Sequence, residues 1–270
     1  MSLEASNDPA GRPSGPRGLE FTPRPGAAPF PRQVAAQASM EARLMLRNGE
    51  QLLLAVVIPV IVLLGCVLGA SRIGIDFRNS PIDVFTPGVL ALAVMSTSFT
   101  SLAIMTGFER RYGVLKRLGS SPLPRSGLLA GKVVALLAIE TLQILVISLV
   151  AFALGWDPAP QLLGAALAVV LGTAAFASLG LFVAGVLRAE ATLAAANLVY
   201  LLLMAGGAVV LPARAYGAFG DFVRWLPSGA LGDAMRDALI DGRITLIDLA
   251  VLLGWAVVGT VLTARTFTWE

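Results

Sequence analysis

The chain has 270 residues, of which 56% are hydrophobic and only 14% are charged, with a formal net charge of +3. Soluble domains carry about 25% charged residues, so this composition leaves too little polar surface for a water-soluble protein and excludes that class. The sequence contains no histidine and one cysteine, Cys66. It therefore lacks the usual metal ligand and proton shuttle and cannot form an internal disulfide. We interpret Cys66 as a small packing residue.

The first 32 residues differ in composition from the rest. They contain seven prolines and scattered arginines, a composition that cannot bury enough apolar area to offset the entropy of ordering. We predict a disordered cytoplasmic tail over 1–32 and a membrane domain over 33–270. Apolar and polar residues alternate over 33–50 at partly helical spacing, which favours an amphipathic helix on the inner leaflet. The alternative is a cytoplasmic extension of the first membrane span.

Six apolar segments are long enough to cross the hydrocarbon of a bilayer, which takes about 20 helical residues. They cover 52–70, 84–106, 133–154, 162–186, 192–211 and 246–263. Pro59 in the first segment is tolerated as a kink in a lipid-embedded helix. The predicted fold class is all-α, a polytopic membrane protein with six transmembrane helices.

The distribution of basic residues predicts the orientation of these spans. With a cytoplasmic N-terminus, the inner side receives 14 of the 20 Lys and Arg residues, as the positive-inside rule requires. Both termini are then cytoplasmic.

The predicted outer segment 212–245 is long for a loop and carries aromatic residues, which favour the headgroup level of a membrane. Pro227 follows Leu226 in a typical helix start, and apolar residues recur on one face afterwards. We predict two short helices that enter the membrane from outside. An ordinary amphipathic surface loop is the alternative.

Few polar residues lie inside the predicted spans. Glu140 and Gln143 are one turn apart in the third span, and Asn197 lies in the fifth. An ionisable residue inside a membrane is a functional candidate, so Glu140 could face a translocation path. It could equally hydrogen-bond a neighbouring helix as structural glue.

No nucleotide-binding motif is present. Gly127 and Gly131 precede Lys132, but only three residues separate the glycines and Val133 follows the lysine. A phosphate-binding loop needs four residues there and a Ser or Thr after the lysine. We therefore predict no ATP site and no enzymatic activity on this chain.

The basic segment 107–132 interrupts the apolar spans and is predicted to lie in the cytoplasm. Residues 108–118 can form a helix of about three turns, which Gly119 and Pro122 would end. Such a helix could dock into a partner and carry its motion to the spans. The alternative is a positive anchor on anionic lipid.

The order of residues in this segment resembles the cytoplasmic loop of ABC-2 type permeases, the membrane subunits of ATP-binding-cassette exporters that include the daunorubicin-resistance group. The resemblance is carried by Glu109, Arg110, Gly113, Leu115, Leu118, Ser121, Pro122, Leu123 and Arg125, and by Gly131 and Lys132 at the start of a span. The interfacial helix, the six spans and the outer segment fit the same plan over about 33–265.

The resemblance implies a dimer with a second permease copy or paralogue, docked on a separate cytoplasmic ATPase that holds ATP and magnesium. The high Arg-to-Lys ratio and the abundance of Ala and Gly suggest a GC-rich bacterial genome, so we expect a bacterial cytoplasmic membrane. No cofactor on this chain and no nucleic-acid partner is implied. The coupling helix would comprise Glu109, Arg110, Arg111, Gly113, Leu115, Leu118, Pro122 and Arg125, and residues 34–50 would form a gate or connecting helix beside the ATPase. The outer gate would comprise Tyr216, Phe219, Phe222, Trp225 and Pro227. Family members export drugs, lipids and glycans.

Three other functions are alternatives to that of an exporter subunit. An ion-coupled secondary transporter that uses Glu140 would be expected to show paired intramembrane charges and inverted repeats. A membrane-embedded enzyme would be expected to show a cluster of catalytic side chains. A non-transport membrane subunit is the third alternative.

Overall fold

The computed structural model describes residues 28–47, 49–73, 80–119 and 124–266, and all regular secondary structure in these ranges is helical. The elements are α1 (Phe30–Arg47), α2 (Gly49–Ile73), α3 (Pro81–Met95), a π-helical segment (Ser96–Ser101), α4 (Leu102–Arg111), α5 (Val114–Gly119), α6 (Arg125–Ala153), α7 (Leu162–Val186), α8 (Ala189–Gly206), a 3-10 segment (Ala213–Phe219), α9 (Gly220–Val223), α10 (Pro227–Leu239) and α11 (Leu246–Thr266).

Five helices of the described chain are long and apolar enough to cross a membrane. They are Pro81–Arg111, Ser126–Ala153, Leu162–Val186, Ala189–Gly206 and Leu246–Thr266. The predicted span 52–70 lies inside α2, whose apolar part among the described residues is the shorter stretch Ala55–Ala70. The all-helical membrane class is therefore confirmed, while the count of six spans stays a prediction.

The helix Pro81–Arg111 is the centre of the fold and is formed by α3, the π-helical segment and α4 without a break. Residues 89–95 are almost completely buried in the main hydrophobic core. Helices α2, α6, α7 and α10 all pack against α3. The predicted span 84–106 lies within this helix.

The π-helical segment Ser96–Ser101 packs closely against α7. A Cβ atom added at Gly180 would lie 2.8 Å from the carbonyl oxygen of Phe99, so only glycine allows this backbone approach. The rings of Phe99 and Phe176 meet edge to face with their centroids 6.4 Å apart. The π-helical segment and α7 are therefore packed directly against each other.

The bundle has two opposite ends. At one end, the Asp157 N–H donates to Asp83 at the start of α3. At the same end, the Gln161 N–H donates to the carbonyl of Ala238, in the last turn of α10. This end also contains Asp248, in the first turn of α11, and is called the Asp248 end. The other end, called the Glu109 end, contains the end of α4, the end of α7 and the beginning of α8. In the predicted orientation, the Asp248 end would be the outer side and the Glu109 end the inner side.

Two predicted helices have different bounds in the structure. The predicted helix 108–118 is wrong as one element, because it breaks at Tyr112 and Gly113, where Gly113 has a φ of 68°. Glycine adopts this left-handed conformation at little cost, and it ends α4. The predicted span 192–211 is also too long, because α8 ends at Gly206 and the next residues bend away from it.

The interface between α7 and α11 provides a test of the packing. A Cβ at Gly259 would lie 2.9 Å from the Cβ of Ser178, whereas a Cβ at Gly254, in the same helix, would meet nothing within 4 Å. We expect Gly259→Val to lower the free energy of unfolding by about 1–3 kcal/mol through overpacking. Thermal unfolding in detergent should show a lower Tm for Gly259→Val than for Gly254→Val. Equal Tm values would contradict this packing.

Candidate coupling site

The candidate coupling site is the elbow, defined here as residues Phe108–Gly119, which joins α4 to α5. The Tyr112 N–H donates to the Phe108 carbonyl over 2.9 Å, and the Gly113 N–H donates to the Arg110 carbonyl over 3.1 Å. These bonds satisfy the last carbonyls of α4 as its chain turns. The ring of Tyr112 stacks on that of Phe108 with centroids 6.2 Å apart. The turn is therefore fixed by its own backbone and side chains.

Glu109 takes part in a buried ion cluster that joins three helices. The ammonium of Lys132, on α6, lies 2.8 Å from a carboxylate oxygen of Glu109 and 2.9 Å from one of Glu41, on α1. The side chains of Lys132 and Glu41 are each only 4% exposed. Gln37 Nε2 donates to the same Glu41 oxygen over 2.9 Å. Buried charges require such pairing, so this cluster fixes α1 against α4 and α6.

Gly131 is the reason that α1 reaches Lys132. A Cβ at this position would lie 2.5 Å from Cγ and 2.7 Å from Cβ of Gln37. The glycine before the lysine therefore allows the two helices to approach closely. The resemblance pointed to Gly131 and Lys132 as a motif, and the structure gives that motif a physical function.

Arg110 contacts the end of α7. Its guanidinium donates to the carbonyl of Gly185 and, over 3.0 Å, to the carbonyl of Leu187. These groups lie at the C-terminus of the helix, where carbonyls lack helical partners and a positive charge is favoured. Arg110 thus caps α7 from α4.

Arg111 forms an ion pair with Glu190 in the first turn of α8. Both side chains are at least half exposed, and exposed pairs contribute only about 0–1 kcal/mol. The Arg111–Glu190 pair therefore contributes little to stability, but it links the elbow to the first turn of α8. Together, Glu109, Arg110 and Arg111 connect the elbow to α1, α6, α7 and α8.

The tip of the elbow is exposed. Tyr112 is 66% exposed, Val114 is 38% exposed, and Lys116 is also on the surface. Leu115 and Leu118 lie on α5, and Arg125 is the first residue of α6. The predicted coupling residue Pro122 lies outside the described residues.

The three predicted path residues do not converge on one site. Glu140 accepts a 2.5 Å hydrogen bond from Thr173 on α7. Gln143 accepts from Thr97 over 2.9 Å and donates to the Ala55 carbonyl over 3.0 Å. Both are completely buried, whereas Asn197 is exposed on α8. Glu140 and Gln143 each hydrogen-bond a neighbouring helix. Both predicted alternatives for Glu140, a translocation path and a helix–helix contact, stay predictions.

The predicted gate residues lie at the Asp248 end. Phe219, Phe222 and Trp225 are each more than half exposed, and the first two rings are 5.3 Å apart. The Tyr216 hydroxyl donates to the Ala205 carbonyl over 2.8 Å. Pro227 is buried as the first residue of α10, as the sequence predicted for the helix start.

Arg236, on α10, makes a group of buried contacts that sequence reasoning missed. Its guanidinium donates to the carbonyls of Val209 and Val210, 2.7 Å away in each case, and lies 2.9 Å from Asp233. It thereby satisfies the buried, non-helical backbone that follows α8, where Ala208 has a φ of 56°. Backbone of this kind is tolerated at membrane depth only when protein groups satisfy it.

The charges around Arg236 are strongly influenced by burial. Loss of water raises the pKa of Asp233, although the nearby Arg236 acts in the opposite direction. Burial likewise lowers the pKa of Arg236, and Asp233 opposes that change. The carbonyls of the non-helical segment therefore provide the remaining stabilisation that keeps this arginine inside the protein.

Glu41 was also missed as a partner of Lys132. The sequence showed it as one of several polar residues on an amphipathic helix. A signal was present, because a lysine next to an apolar span requires a counter-charge and Glu41 follows Gln37 at helical spacing.

Residues 32–240 match the family model described as ABC-2 type transporter. The match covers more than half of the chain. The chain belongs to the ABC-2 type transporter family. The resemblance seen in the basic loop is thereby confirmed, and the chain is a membrane permease component of a transporter rather than a catalytic domain. No curated protein matches the chain.

The buried ion cluster of this ABC-2 protein gives a stability prediction. Lys132→Gln would leave the carboxylates of Glu41 and Glu109 buried without a counter-charge. We expect a loss of about 3–5 kcal/mol of stability, as for other buried pairs that lose one partner. Thermal unfolding in detergent measures it, with the exposed Lys116→Gln as control. A Tm equal to that of the control would show that the cluster carries no such energy.

The contacts of Arg236 give a second prediction. Arg236→Lys keeps the charge but cannot donate to several carbonyls and Asp233 at once. We expect the free energy of local opening to fall by about 1–3 kcal/mol, measured as faster amide hydrogen exchange across 207–211. The exposed Arg214→Lys, at the same end, should leave that exchange unchanged. Protection of 207–211 equal to that of the unmodified protein would refute the assigned function of Arg236.

Proposed function

We propose that this chain is the membrane-spanning half of an ABC exporter and that a separate cytoplasmic ATPase drives it through the elbow. The observation that supports this most is the arrangement of Glu109, Arg110 and Arg111. Three consecutive residues at the base of an exposed turn each contact a different part of the bundle. A force on Tyr112 or Lys116 would therefore reach four helices at once.

Transmission through these contacts would move helices as rigid bodies. The buried Lys132 cluster is the stiff part, because separating its charges in a water-poor site is costly. The exposed pair of Arg111 and Glu190 is the weak part and could break or reform as α8 moves. Rigid-body rearrangement about such contacts is one of the known forms of conformational switching.

The proposed assembly contains two permease chains, either two copies or a copy and a paralogue. In α2, Gly65 and Gly69 form a G-x-x-x-G spacing, and a Cβ at either position would meet nothing within 4 Å. Asn197 is exposed on α8 beside exposed leucines such as Leu198 and Leu201. Small residues and exposed polar groups on membrane helices favour contact with another helix over contact with lipid.

The proposed location is a bacterial cytoplasmic membrane with both termini and the elbow in the cytoplasm. The bias of Lys and Arg toward the Glu109 end supports this orientation. The Asp248 end would then face outward, with α10 and the aromatic residues near it as the outer gate. The substrate class remains that of the family, a drug, a lipid or a glycan, with ATP and magnesium bound on the partner.

An ion-coupled secondary transporter is the second candidate. One observation favours it: Oε1 of Glu140 is buried and has no hydrogen-bond partner within the described part of the chain. The other oxygen bonds Thr173, and no Lys or Arg among the described residues pairs with this carboxylate. Proton-coupled sites typically place a basic or second acidic group nearby, so the exporter remains the better-supported function.

The experiment isolates the chain from its native membrane together with the ATPase that accompanies it and measures ATP hydrolysis in liposomes. Glu109, Arg110 and Arg111 are unsuitable for charge reversal, because these side chains hold the chain's own helices. The exposed Val114 and Lys116 are better targets. We expect Val114→Ser with Lys116→Glu to abolish the effect of the permease on ATP hydrolysis without lowering the Tm.

Arg265→Glu is the matched control, since Arg265 is exposed at the end of α11 and lies outside the elbow. It should leave stimulation intact. Isolation of the chain without any ATPase would contradict the proposal, as would full stimulation by the elbow variant. Transport by the purified chain alone, driven by an ion gradient, would favour the secondary transporter.

A further inference from the structure

The Asp248 end contains a polar cavity of about 1050 Å³, called here the Arg–Asp cavity. Four arginines and four aspartates line it, together with apolar residues of α3, of α11 and of the segments that precede α9 and follow α10. The elbow and its contacts lie at the opposite end of the bundle. Coupling to an ATPase therefore gives no reason for this concentration of charge.

Part of the charge in the cavity is neutralised internally. Arg236 pairs with Asp233 over 2.9 Å. Arg243 pairs with Asp237 over 2.9 Å and with Asp241 over 3.1 Å. These pairs account for two arginines and three aspartates, and they form the wall of the cavity.

Three charged groups remain. Arg214 and Arg224 are exposed and form no ion pair with any residue in the ranges that the structure describes. Asp248 is only 3% exposed, lines the cavity, and has no hydrogen bond or ion pair within the same ranges. A buried carboxylate without a partner is costly. Arg224 and Arg243 attract Asp248 from beyond ion-pair distance, and Asp233 and Asp237 repel it. The cavity thus presents to a ligand two arginines outside the ion pairs and one buried carboxylate with no direct partner.

An apolar groove adjoins this cavity. It has a volume of about 570 Å³ and is lined by residues of α11 with Trp225 and Trp255. The indole N–H of Trp255 donates to the Trp225 carbonyl over 2.9 Å, which fixes one side of the groove. Ile247 lines both the groove and the Arg–Asp cavity. The Arg–Asp cavity and the apolar groove therefore meet at Ile247.

We propose that the Arg–Asp cavity and the adjoining groove together bind a phospholipid with a primary-amine headgroup. The phosphate lies between Arg214 and Arg224, the ammonium bonds Asp248, and one acyl chain lies in the groove beside Gly254.

Each part of the ligand follows from a group in the site. Guanidinium groups prefer phosphate, which they bind through paired N–H donors. A primary ammonium offers N–H donors to the Asp248 oxygens, whereas a trimethylammonium offers none. Tryptophan pairs are typical of the depth where headgroup and acyl chain meet. The site is therefore expected to prefer phosphatidylethanolamine over phosphatidylcholine and phosphatidylglycerol.

Binding is measured by native mass spectrometry on the purified full chain in detergent. The probes are phosphatidylethanolamine, phosphatidylcholine and phosphatidylglycerol with identical dioleoyl chains, and soluble glycerophosphoethanolamine. This readout requires neither an ATPase nor transport, so its result is independent of the proposed exporter function. We expect phosphatidylethanolamine to bind about tenfold more tightly than the other three probes, equivalent to one charge-assisted bond.

Three variants separate the parts of the site. Asp248→Asn should remove the preference for phosphatidylethanolamine over phosphatidylcholine. Arg214→Gln with Arg224→Gln should weaken all three lipids about tenfold. Gly254→Leu should fill the groove and weaken the lipids while leaving glycerophosphoethanolamine unchanged, because a Cβ there meets open space within the chain.

Two controls match these variants. Asp221→Asn changes an exposed carboxylate at the same end that does not line the cavity. Gly65→Leu places the same side chain on an open face of α2. Both should bind phosphatidylethanolamine as the unmodified protein does. Equal binding of all three lipids by the unmodified protein would overturn the proposal. So would unchanged binding in both the arginine and Gly254 variants, or glycerophosphoethanolamine binding as tightly as the lipid.

Discussion

The buried ammonium of Lys132 between the carboxylates of Glu41 and Glu109 is the interaction on which the Glu109 end depends. It joins an amphipathic helix, the end of the central helix and the beginning of a membrane span. None of these three charges could remain buried alone, because each would lose its hydration without compensation. The cluster therefore makes the position of α1 and that of the elbow interdependent.

A comparable constraint operates at the opposite end, where backbone carbonyls join the carboxylate of Asp233 as partners of a buried arginine. There, an arginine is kept inside the fold by backbone carbonyls that α8 no longer uses, and the segment 207–211 keeps its non-helical path because the arginine is there. Each group removes the penalty that the other would otherwise carry. The two ends of the bundle thus use the same principle, in which a buried charge organises the elements around it.

Much of this architecture follows from the sequence. Hydrophobic length located the five helices of the described chain that are long and apolar enough to cross a membrane. Helix α7 coincides with its predicted bounds, because Gln161 caps its first turn and the charged Arg188 follows the apolar run. The end of α8 could not be predicted, since residues 207–211 are as apolar as the helix before them and only Arg236, far along the chain, explains their path. The sequence could have predicted that a helix ends at Gly113, because glycine often ends helices.

The sequence predicted several residues of the candidate site but not the helices that they contact. The family resemblance identified Glu109, Arg110 and Arg111, but their partners on α1, α7 and α8 depend on helix packing that a single sequence does not encode locally. Glu140 differs, because its position alone in an apolar span already indicated a functional candidate. The structure adds the hydrogen bond that it accepts from Thr173, which joins α6 to α7.

The π-helical turn at Ser96–Ser101 determines where these contacts can form. Such a turn holds one residue more than the α-helical path would, and each residue of an α-helix rotates the chain by about 100° and advances it by about 1.5 Å. Loss of a single residue here would leave the composition of α4 intact yet rotate it so that Glu109 no longer faced Lys132. The length of this segment is therefore under stronger constraint than the identity of its small polar residues.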